Sequence, residues 1–400
     1  MKKLAIIITH PIQYYVPIFR LLSKNCILKV FYTWGPAGIK AKHDPGFGKI
    51  IEWDMPLLEG YNYELLENIA KEPGSHHGKG IINPDIIPRL NEFAPDTILV
   101  YGYSYHSHFK VMRHFKGKIP IWFRGDSTLL DENSGLKALL KQIYLRWVYS
   151  YADKAFYVGT QNHAYFKQYG LKEHQLIFAP HAIDNERFSE DRTQESFALR
   201  ERLGIANNDT LILFAGKLEP KKNPALLLEA FISLNKEQKT DEMIQNLHLL
   251  FIGNGVLEKD LKLHADQFNQ HFPSTQRSIH FIDFQNQTQM PLAYQACDIF
   301  CLPSQGPGET WGLAVNEAMA AGKAIIVSDK VGCAKDLVKA NSNGYIFKSG
   351  DKQDLVEKIL LMIASKEKMI TMGQNSSKLI QDWSFKKIAD TLSEQLSLIP

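Results

Sequence analysis

Two glutamates in the second half of the chain, Glu309 and Glu317, lie eight residues apart on either side of Gly312. Residues 313–321 are rich in good helix formers and predict a short helix, and Gly322 follows as the expected C-cap. The preceding loop is rich in glycine, so backbone N–H groups and the helix dipole would favour a phosphate there. Glu317 lies roughly 6–8 Å inside the helix at 1.5 Å per residue, a span similar to that between a phosphate and its ribose. The spacing predicts a site for a nucleoside diphosphate that carries a polar group.

Two lysines stand in another loop that follows a predicted strand. Lys217 comes directly after the run LILFAG, and Lys222 follows ahead of a helix that opens at Pro224. Two ammonium groups beside a helix N-terminus can neutralise a diphosphate, although a solvated basic loop would have the same composition. The turn at 254–255 and the polar run at 285–289 also follow strands. Four such loops on one sheet favour a shared ligand site.

Composition narrows the class of protein. A chain of 400 residues suggests two domains, and a net charge of +3 over that length does not indicate a nucleic-acid-binding protein. The four cysteines have no metal-ligand spacing and suit a reducing compartment. The N-terminal run LAIII is too short for a signal peptide, and no run approaches the roughly 20 apolar residues of a transmembrane helix. We expect a cytoplasmic protein, with contact to the inner face of a membrane left open.

Apolar runs alternate with helical patterns through both halves, which is typical of two doubly wound α/β domains. The predicted strands are 4–9, 27–33, 96–102, 119–125, 154–159 and 176–181 in the first half, and 211–216, 247–253, 279–284, 299–304 and 324–329 in the second. Helices are expected between them, for example over 224–235 and 136–151, and the polar stretch 184–208 is the predicted linker. Two such domains facing each other would bind ligand in the cleft at the carboxyl ends of their strands.

This order of segments resembles the retaining glycosyltransferases of family 4, which have the GT-B fold. The segments that carry the resemblance are GKLEPKKN (216–223), LHLLFIGNG (247–255), IHFIDF (279–284), YQACDIFCLPS (294–304) and the two-glutamate motif, with weaker matches at 151–166, 179–188 and 382–392. The resemblance implies an acceptor domain over 1–190, a nucleotide-sugar donor domain over 206–375, and a C-terminal helix in 376–400 that returns to the first domain.

The resemblance also implies roles for single residues. Lys217 and Lys222, in the segment that Gly216 opens, would hold the diphosphate and stabilise the departing nucleotide. Glu309 would contact hydroxyls of the donor sugar. Lys217 stands where the family usually has arginine, which keeps the charge and loses the bidentate fork.

The helix that follows the loop has its own implied roles. Backbone amides near Gly312 and Leu313 would bind phosphate, and Glu317 would accept hydrogen bonds from the ribose. Thr310 stands where glycine is usual, and Gly306–Gly308 look like extra length, so the loop before the helix is where this chain departs from the family.

The implied reaction is transfer of a sugar from a nucleoside-diphosphate sugar to a hydroxyl of a glycan or lipid-linked acceptor, in surface polysaccharide or glycoconjugate assembly. The family transfers with retention, by front-face attack in which the departing phosphate helps to deprotonate the acceptor. The chain has no Asp-x-Asp triplet, so we expect a metal-independent enzyme without a cofactor.

The first half is enriched in residues that bind sugars. Fourteen of 16 tyrosines and 10 of 14 histidines precede residue 190, and aromatic faces pack on sugar rings while His and Asp hydrogen-bond hydroxyls. His10 and Asp126 are predicted near the reacting centre, with Tyr103, His106 and Arg124 behind them, although each of these side chains is equally consistent with a structural role.

The helix at 136–151 is amphipathic. It places Leu136, Leu139, Leu140, Ile143, Trp147 and Tyr151 near one face. We expect this face to pack against the sheet, and the alternative is that it lies on a membrane.

The sequence leaves other functions to be considered besides glycosyl transfer. The turn at 253–255 stops short of G-x-G-x-x-G, and no Walker lysine motif is present, which disfavours an oxidoreductase or an ATPase. A sugar-nucleotide epimerase could share the two-domain architecture. A catalytically idle partner that binds nucleotide or glycan is a third possibility.

Overall fold

The computed structural model describes residues 1–40, 42–44, 46–132, 135–237, 246–271 and 278–400. The described chain divides into two compact units. The first comprises 1–41, 55–181 and 384–400, and the second comprises 42–54 and 182–383. These limits differ from the predicted 1–190, 206–375 and 376–400, because 42–54, 182–190 and 376–383 all belong to the second unit.

The first unit is built on a seven-stranded parallel sheet. Its strands are β1 (Lys3–Ile8), β2 (Ile27–Tyr32), β5 (Tyr63–Leu65), β6 (Thr97–Tyr101), β7 (Ile121–Arg124), β8 (Lys154–Tyr157) and β9 (Leu176–Phe178), in the order β5-β2-β1-β6-β7-β8-β9. Its helices are α1 (Val16–Leu22), α2 (Ile86–Phe93), α3 (His106–Phe115), α4 (Leu136–Tyr149), α5 (Thr160–Gln168) and the C-terminal α15 (Phe385–Ser397).

The second unit has a six-stranded parallel sheet. Its strands are β10 (Thr210–Ala215), β11 (Leu247–Ile252), β12 (Ile279–Ile282), β13 (Ile299–Leu302), β14 (Ala324–Ser328) and β15 (Gly344–Phe347), in the order β12-β11-β10-β13-β14-β15. Its helices are α6 (Asn185–Ser189), α7 (Thr193–Arg202), α8 (Pro224–Glu237), α9 (Glu258–Asn269), α10 (Met290–Ala296), α11 (Leu313–Ala320), α12 (Ala334–Leu337), α13 (Lys352–Ile363) and α14 (Lys366–Ile380). A two-stranded hairpin, β3 (Lys42–Asp44) and β4 (Lys49–Ile51), completes it.

The strand order of each sheet fixes where a ligand can bind. The chain reverses its direction of winding between β1 and β6 in the first sheet and between β10 and β13 in the second. In open α/β sheets the loops diverge at such a switch point and leave a crevice at the carboxyl ends of the strands. Both sheets are buried on their two faces, as the near-continuous apolar strands require.

All eleven predicted strands are present, and the prediction of two doubly wound domains is confirmed. Each strand ends one to three residues before its predicted limit, because the last residues already turn into the loops at the carboxyl edge. The short edge strands β5 and β15 and the hairpin β3–β4 were not predicted, since three or four residues carry too little periodicity.

The C-terminal helix returns to the first unit, as predicted. Helix α15 packs against α1 and buries Ile388, Leu392 and Leu396. Ser384 caps its N-terminus by accepting a hydrogen bond from the Lys387 amide at 3.2 Å.

The prediction of a linker over 184–208 is wrong, because this polar stretch forms α6 and α7 of the second unit. Arg200 joins this stretch to the rest of the second unit. The buried guanidinium donates to the carbonyl oxygens of Ala296 (2.8 Å), Ala206 (2.9 Å) and Asp209 (2.6 Å). A charged group with this many backbone acceptors fixes α7 against the sheet.

The expected packing of α4 is also wrong. Five of the six residues of its predicted core face are exposed, namely Leu136, Leu139, Leu140, Ile143 and Trp147, and the helix instead buries Leu145, Val148 and Tyr149. The periodicity of the apolar residues correctly predicted a helix, but it did not determine which face of the helix packs against the rest of the first unit. In the described part of the chain, no helix is long and apolar enough to cross a membrane.

Candidate active site

The site of the second unit forms at its switch point, where the loops after β10 and β13 meet. Gly216 follows β10 with φ +150°, and a Cβ on it would lie 3.6 Å from Cδ of Lys222. A Cβ on Gly253, which follows β11, would lie 2.1 Å from the Gly216 carbonyl oxygen. Any side chain at position 253 would prevent this close approach of the two loops, so the position requires glycine.

Lys222 and Glu309 form an ion pair in this crevice. The Lys222 Nζ lies 2.7 Å from Oε2 of Glu309, and their side chains are 17% and 7% exposed. Ser304 donates a hydrogen bond to the same carboxylate oxygen at 3.0 Å. Because neither charge is well solvated, each compensates the other. The sequence-predicted Lys222 and Glu309 are therefore brought together.

The loops that carry this pair are also joined through the backbone. The Gln305 amide donates to the Lys221 carbonyl at 2.9 Å, and its side chain donates to the Pro220 carbonyl at 2.8 Å. A third loop, after β14, holds the other side: the Gly332 amide donates to the Glu309 carbonyl at 3.1 Å. A Cβ on Gly332 would lie 1.8 Å from the Thr310 carbonyl oxygen. This loop was not predicted from the sequence, where the glycine after the strand was the available signal.

Helix α11 begins beside the ion pair. Gly312 is its N-cap with φ +96°, a conformation that favours glycine. A glycine has no side chain to cap the helix, so the amides of the first turn are suited to an external anion. The helix is held from behind, because the Trp311 indole donates to Asn316 at 2.9 Å and packs on Trp383 with ring centroids 5.2 Å apart.

Glu317 is buried within α11, with 5% of its surface exposed. The hydroxyl of Tyr294, on α10, donates to its Oε2 at 2.8 Å. Tyr294 thus orients the carboxylate, a role that the sequence analysis did not assign. The expected helix over 313–321 with Gly322 behind it is confirmed, since α11 ends at Ala320 and Gly322 has φ +74°.

Lys217 has a different partner from Lys222. Its Nζ lies 2.8 Å from Oδ1 and 3.0 Å from Oδ2 of Asp44, on the hairpin β3–β4. The sequence placed both lysines beside one diphosphate, and the structure shows each of them compensated by its own carboxylate.

The first unit has a cavity at its own switch point. It has a volume of about 310 Å³ and is lined by loops that follow β1, β6, β7 and β9. Among the sequence-predicted acceptor residues, Tyr103, Arg124 and Asp126 line it. His10 and His106 are not among the lining residues.

The two histidines outside the cavity lining have other surroundings. His10 shares a hydrogen bond of 2.8 Å with Thr9, and its ring stands edge-on to Trp34. His106 is exposed at the first position of α3. The buried histidine of that helix is His108, two residues further on.

Arg124 supports the cavity from within the fold. Its buried guanidinium donates to the carbonyl oxygens of Ala179 and Pro180, at 2.8 Å each. These bonds fix the chain after β9, so the residue is better described as a structural anchor than as a ligand contact.

Three cavity residues were missed by the sequence analysis. His181 is buried, and its Nε2 lies 3.7 Å from Oδ2 of Asp126. Burial lowers the pKa of His181, and the Asp126 carboxylate acts in the opposite direction. Tyr15 stacks on the His181 ring at 6.3 Å. The Tyr101 hydroxyl is buried and makes no hydrogen bond within the described residues. Tyr15 stands in a loop that follows a predicted strand, and His181 is the last residue of the predicted strand 176–181, so the carboxyl end of a strand was the available signal in both cases.

No group of three or more His, Cys, Asp or Glu side chains that could hold a metal ion occurs within the described ranges.

Comparison with known proteins shows which family the second unit resembles. Residues 195–379 match the family described as Glycosyl transferases group 1. This match covers somewhat less than half of the chain, and the chain as a whole has the GT-B fold. The predicted GT-B fold is confirmed, and the predicted resemblance to glycosyltransferases is confirmed over residues 195–379, with family 4 consistent with it.

Individual proteins show how far the similarity extends. The chain is 26% identical over 202 residues to the lipopolysaccharide 1,2-N-acetylglucosaminetransferase of Salmonella typhimurium, covering 50% of this chain and 51% of that one. The matches span about half the length of the curated relatives.

Solved structures extend the likeness in fold to nearly the whole chain. Anabaena HepE in complex with UDP superposes with a TM-score of 0.72 at 18% identity, over 99% of this chain and 100% of that one. WaaG, a glycosyltransferase involved in lipopolysaccharide biosynthesis, gives 0.66 at 14% identity, again over 99% and 100%.

The buried histidine behind the cavity predicts an acid-sensitive first unit. His108 Nδ1 lies 2.9 Å from the Tyr101 carbonyl oxygen and Nε2 lies 2.8 Å from the Thr33 hydroxyl. Burial lowers the pKa of His108 to about 4, although its backbone hydrogen bonds act to raise it. The pKa of His108 in the folded protein is therefore lower than the ordinary pKa of about 6.5 that it has in the unfolded chain. At a pH between the two pKa values, unfolding takes up a proton. The contribution of neutral His108 to the free energy of unfolding is fully present above pH about 6.5. It is lost as the pH falls towards about 4, which lowers the free energy of unfolding by up to about 3 kcal/mol.

We expect His108→Gln to reduce the pH dependence of unfolding between pH 4.5 and 7, measured by urea titration. His106→Gln, at the exposed neighbour, is the control and should leave the dependence unchanged. An undiminished pH dependence in His108→Gln would contradict this assignment.

Proposed function

We propose that the protein is a glycosyltransferase that moves a sugar from a nucleoside-diphosphate sugar to a hydroxyl of a glycan or lipid-linked acceptor. The observation that carries the proposal is the pair of half-buried Lys222 and buried Glu309 at a switch point, beside the N-terminus of α11, which has no side-chain cap. Assembly of a surface polysaccharide or other glycoconjugate is supported by the relatives named for lipopolysaccharide synthesis.

The donor site that we propose uses the charges already in place. The diphosphate contacts Lys222 and the first amides of α11, so that Glu309 exchanges its lysine for hydroxyls of the donor sugar. Glu317, oriented by Tyr294, accepts hydrogen bonds from the ribose. Departure of the nucleoside diphosphate increases negative charge on the β-phosphate, and a fixed lysine and helix N-terminus stabilise that charge without rearrangement.

We further propose that transfer is retaining and needs neither metal nor cofactor. The support for metal independence is that Lys222 and the amides of α11 supply positive charge where the leaving group forms. The support for retention is the family resemblance, and the anomeric proton coupling of the product in NMR tests it. An inverted linkage would contradict this part of the proposal.

The acceptor is proposed to enter the cavity of the first unit. Asp126 is 47% exposed while its partner His181 is only 6% exposed, so the carboxylate can reach an acceptor hydroxyl and the imidazole holds it in place. The buried Tyr101 hydroxyl offers a further hydrogen bond. Tyr103 lines the same cavity, where we propose that its ring contacts the sugar.

The donor proposal is tested by turnover of UDP-, GDP- and dTDP-sugars with the full chain, with and without EDTA. We expect one donor class to be hydrolysed slowly, or transferred when acceptor is present, at the same rate in EDTA. Lys222→Met should lower that rate about 100-fold, because removal of one preorganised charge has about this effect.

The matched control is Lys221→Met, since Lys221 is the adjacent residue and pairs with Glu219 instead. It should keep near-normal turnover. Epimerised sugar nucleotide without any transfer would favour the epimerase, and nucleotide binding without turnover would favour the idle partner. Equal rates in the two lysine variants would contradict the donor site.

We also propose that α4 rests on an anionic lipid surface, which would place the enzyme at the inner, cytoplasmic face of a membrane. The helix exposes Leu136, Leu139, Leu140, Ile143 and Trp147, and all its charged residues are basic. Arg113 of α3 lies over the Trp147 ring at 5.9 Å and adds to this charge. Apolar side chains among cations suit a surface of acidic headgroups. A reducing, cytoplasmic location is supported by four free, buried cysteines.

Flotation with liposomes of phosphatidylglycerol and phosphatidylcholine tests this surface. We expect the protein to float and Leu139→Glu/Ile143→Glu to reduce the floated fraction at least about fivefold, because each buried side chain contributes about 1.5–3 kcal/mol. Leu263→Glu, at an apolar residue of the second unit that is 56% exposed, is the control. Dimerisation that the double variant abolishes, without flotation, would assign the face to a second copy instead.

A further inference from the structure

The hairpin β3–β4 belongs to the donor-binding unit although it lies far before the rest of that unit in the chain, which resumes at residue 182. Residues 42–54 fall in the second unit, and their contacts concentrate on the loops after β10 and β12. Lys49 pairs with Asp283 at 2.8 Å, and the Asn286 side chain donates to the Glu52 carbonyl at 2.6 Å. The hairpin therefore covers part of the edge where the nucleotide site forms.

The tip of the hairpin surrounds Lys217. Asp44 binds its ammonium group through both carboxylate oxygens, and the Phe47 ring lies 5.0 Å from it. A Cβ on Gly46 would lie 2.7 Å from the lysine Nζ. Phe47 also packs on Phe284, with ring centroids 4.7 Å apart. Lys217, which a donor phosphate would use, is thus already paired with a carboxylate and lies against an aromatic ring.

We propose that Asp44 competes with the phosphate of the donor for Lys217, so that the hairpin sets the affinity of the site for charged nucleotides. In the free protein Asp44 neutralises Lys217, and on binding it gives up the lysine to the phosphate. The inference rests on the proposed donor site in the second unit.

The exchange leaves no buried group unpaired. Asp44 Oδ1 also accepts hydrogen bonds from the amides of Gly46 at 2.8 Å and Phe47 at 3.2 Å, so the carboxylate keeps partners when the lysine leaves. The Asp44 and Lys217 side chains are 32% and 31% exposed, which leaves room for rotation. The Lys49–Asp283 pair does not involve Lys217 and can hold the hairpin throughout.

Competition by a carboxylate has a consequence for turnover. The nucleoside-diphosphate product carries more negative charge than the donor, because its terminal phosphate is no longer esterified. Asp44 therefore repels the product more strongly than the donor and favours its release.

The test compares Asp44→Asn with the unaltered full chain in calorimetric titrations with UDP, GDP and dTDP. We expect Asp44→Asn to bind the preferred nucleotide about 3- to 10-fold more tightly, the range for a partly exposed charge pair. The corresponding uncharged nucleoside should bind equally to both. Asp54→Asn is the matched control, since Asp54 lies three residues beyond the hairpin in the same segment of the second unit and accepts a hydrogen bond from the Thr288 amide rather than pairing with a lysine.

A Lys217→Ala background shows whether the effect acts through the lysine. There, Asp44→Asn should change nucleotide affinity less than twofold. Unchanged or weaker binding by Asp44→Asn, while the unaltered chain binds nucleotide, would overturn the competition and leave the proposed function standing. Failure of both proteins to bind any nucleotide would overturn both. Binding by Asp44→Asn alone would support both.

Discussion

The site of the second unit depends on one compensated charge pair at the switch point of its sheet. Lys222 and Glu309 lie 2.7 Å apart with little exposure, so loss of either partner leaves an uncompensated charge. The pair joins the loops after β10 and β13, and the loop after β14 holds Glu309 through its backbone. Such a pair contributes little to stability as a whole. Its value is that it keeps a lysine and a carboxylate oriented where an anionic ligand with hydroxyls can take over both partners.

Parallel sheets explain why these residues meet. All strands of a parallel sheet end at one edge, so residues separated by about ninety positions share a crevice when their strands are neighbours. The same rule places Tyr103, Asp126 and His181 around one cavity in the first unit. Each unit thus has one site-forming edge, with lysines and a helix N-terminus in the second and aromatic and hydroxyl groups in the first.

The sequence predicted the local features and missed the nonlocal ones. The strands, α11 and Glu317 follow from periodicity and from one continuous motif. Asp44 lies 173 residues from Lys217, and no local pattern reports such a contact. His106 and His108 show a second limit, because residues two apart on a helix point in nearly opposite directions. The helix was predictable, while which histidine is buried depends on packing. For α4 the apolar stripe was evident, but its exposure was not.

The most direct test of the central claim is a crystal structure of the full chain with the nucleoside diphosphate that it binds best. The account predicts the diphosphate within hydrogen-bond distance of Lys222 Nζ and the first amides of α11, the ribose at Glu317, and Glu309 separated from its lysine. A nucleotide bound elsewhere, with the Lys222–Glu309 pair intact, would contradict it.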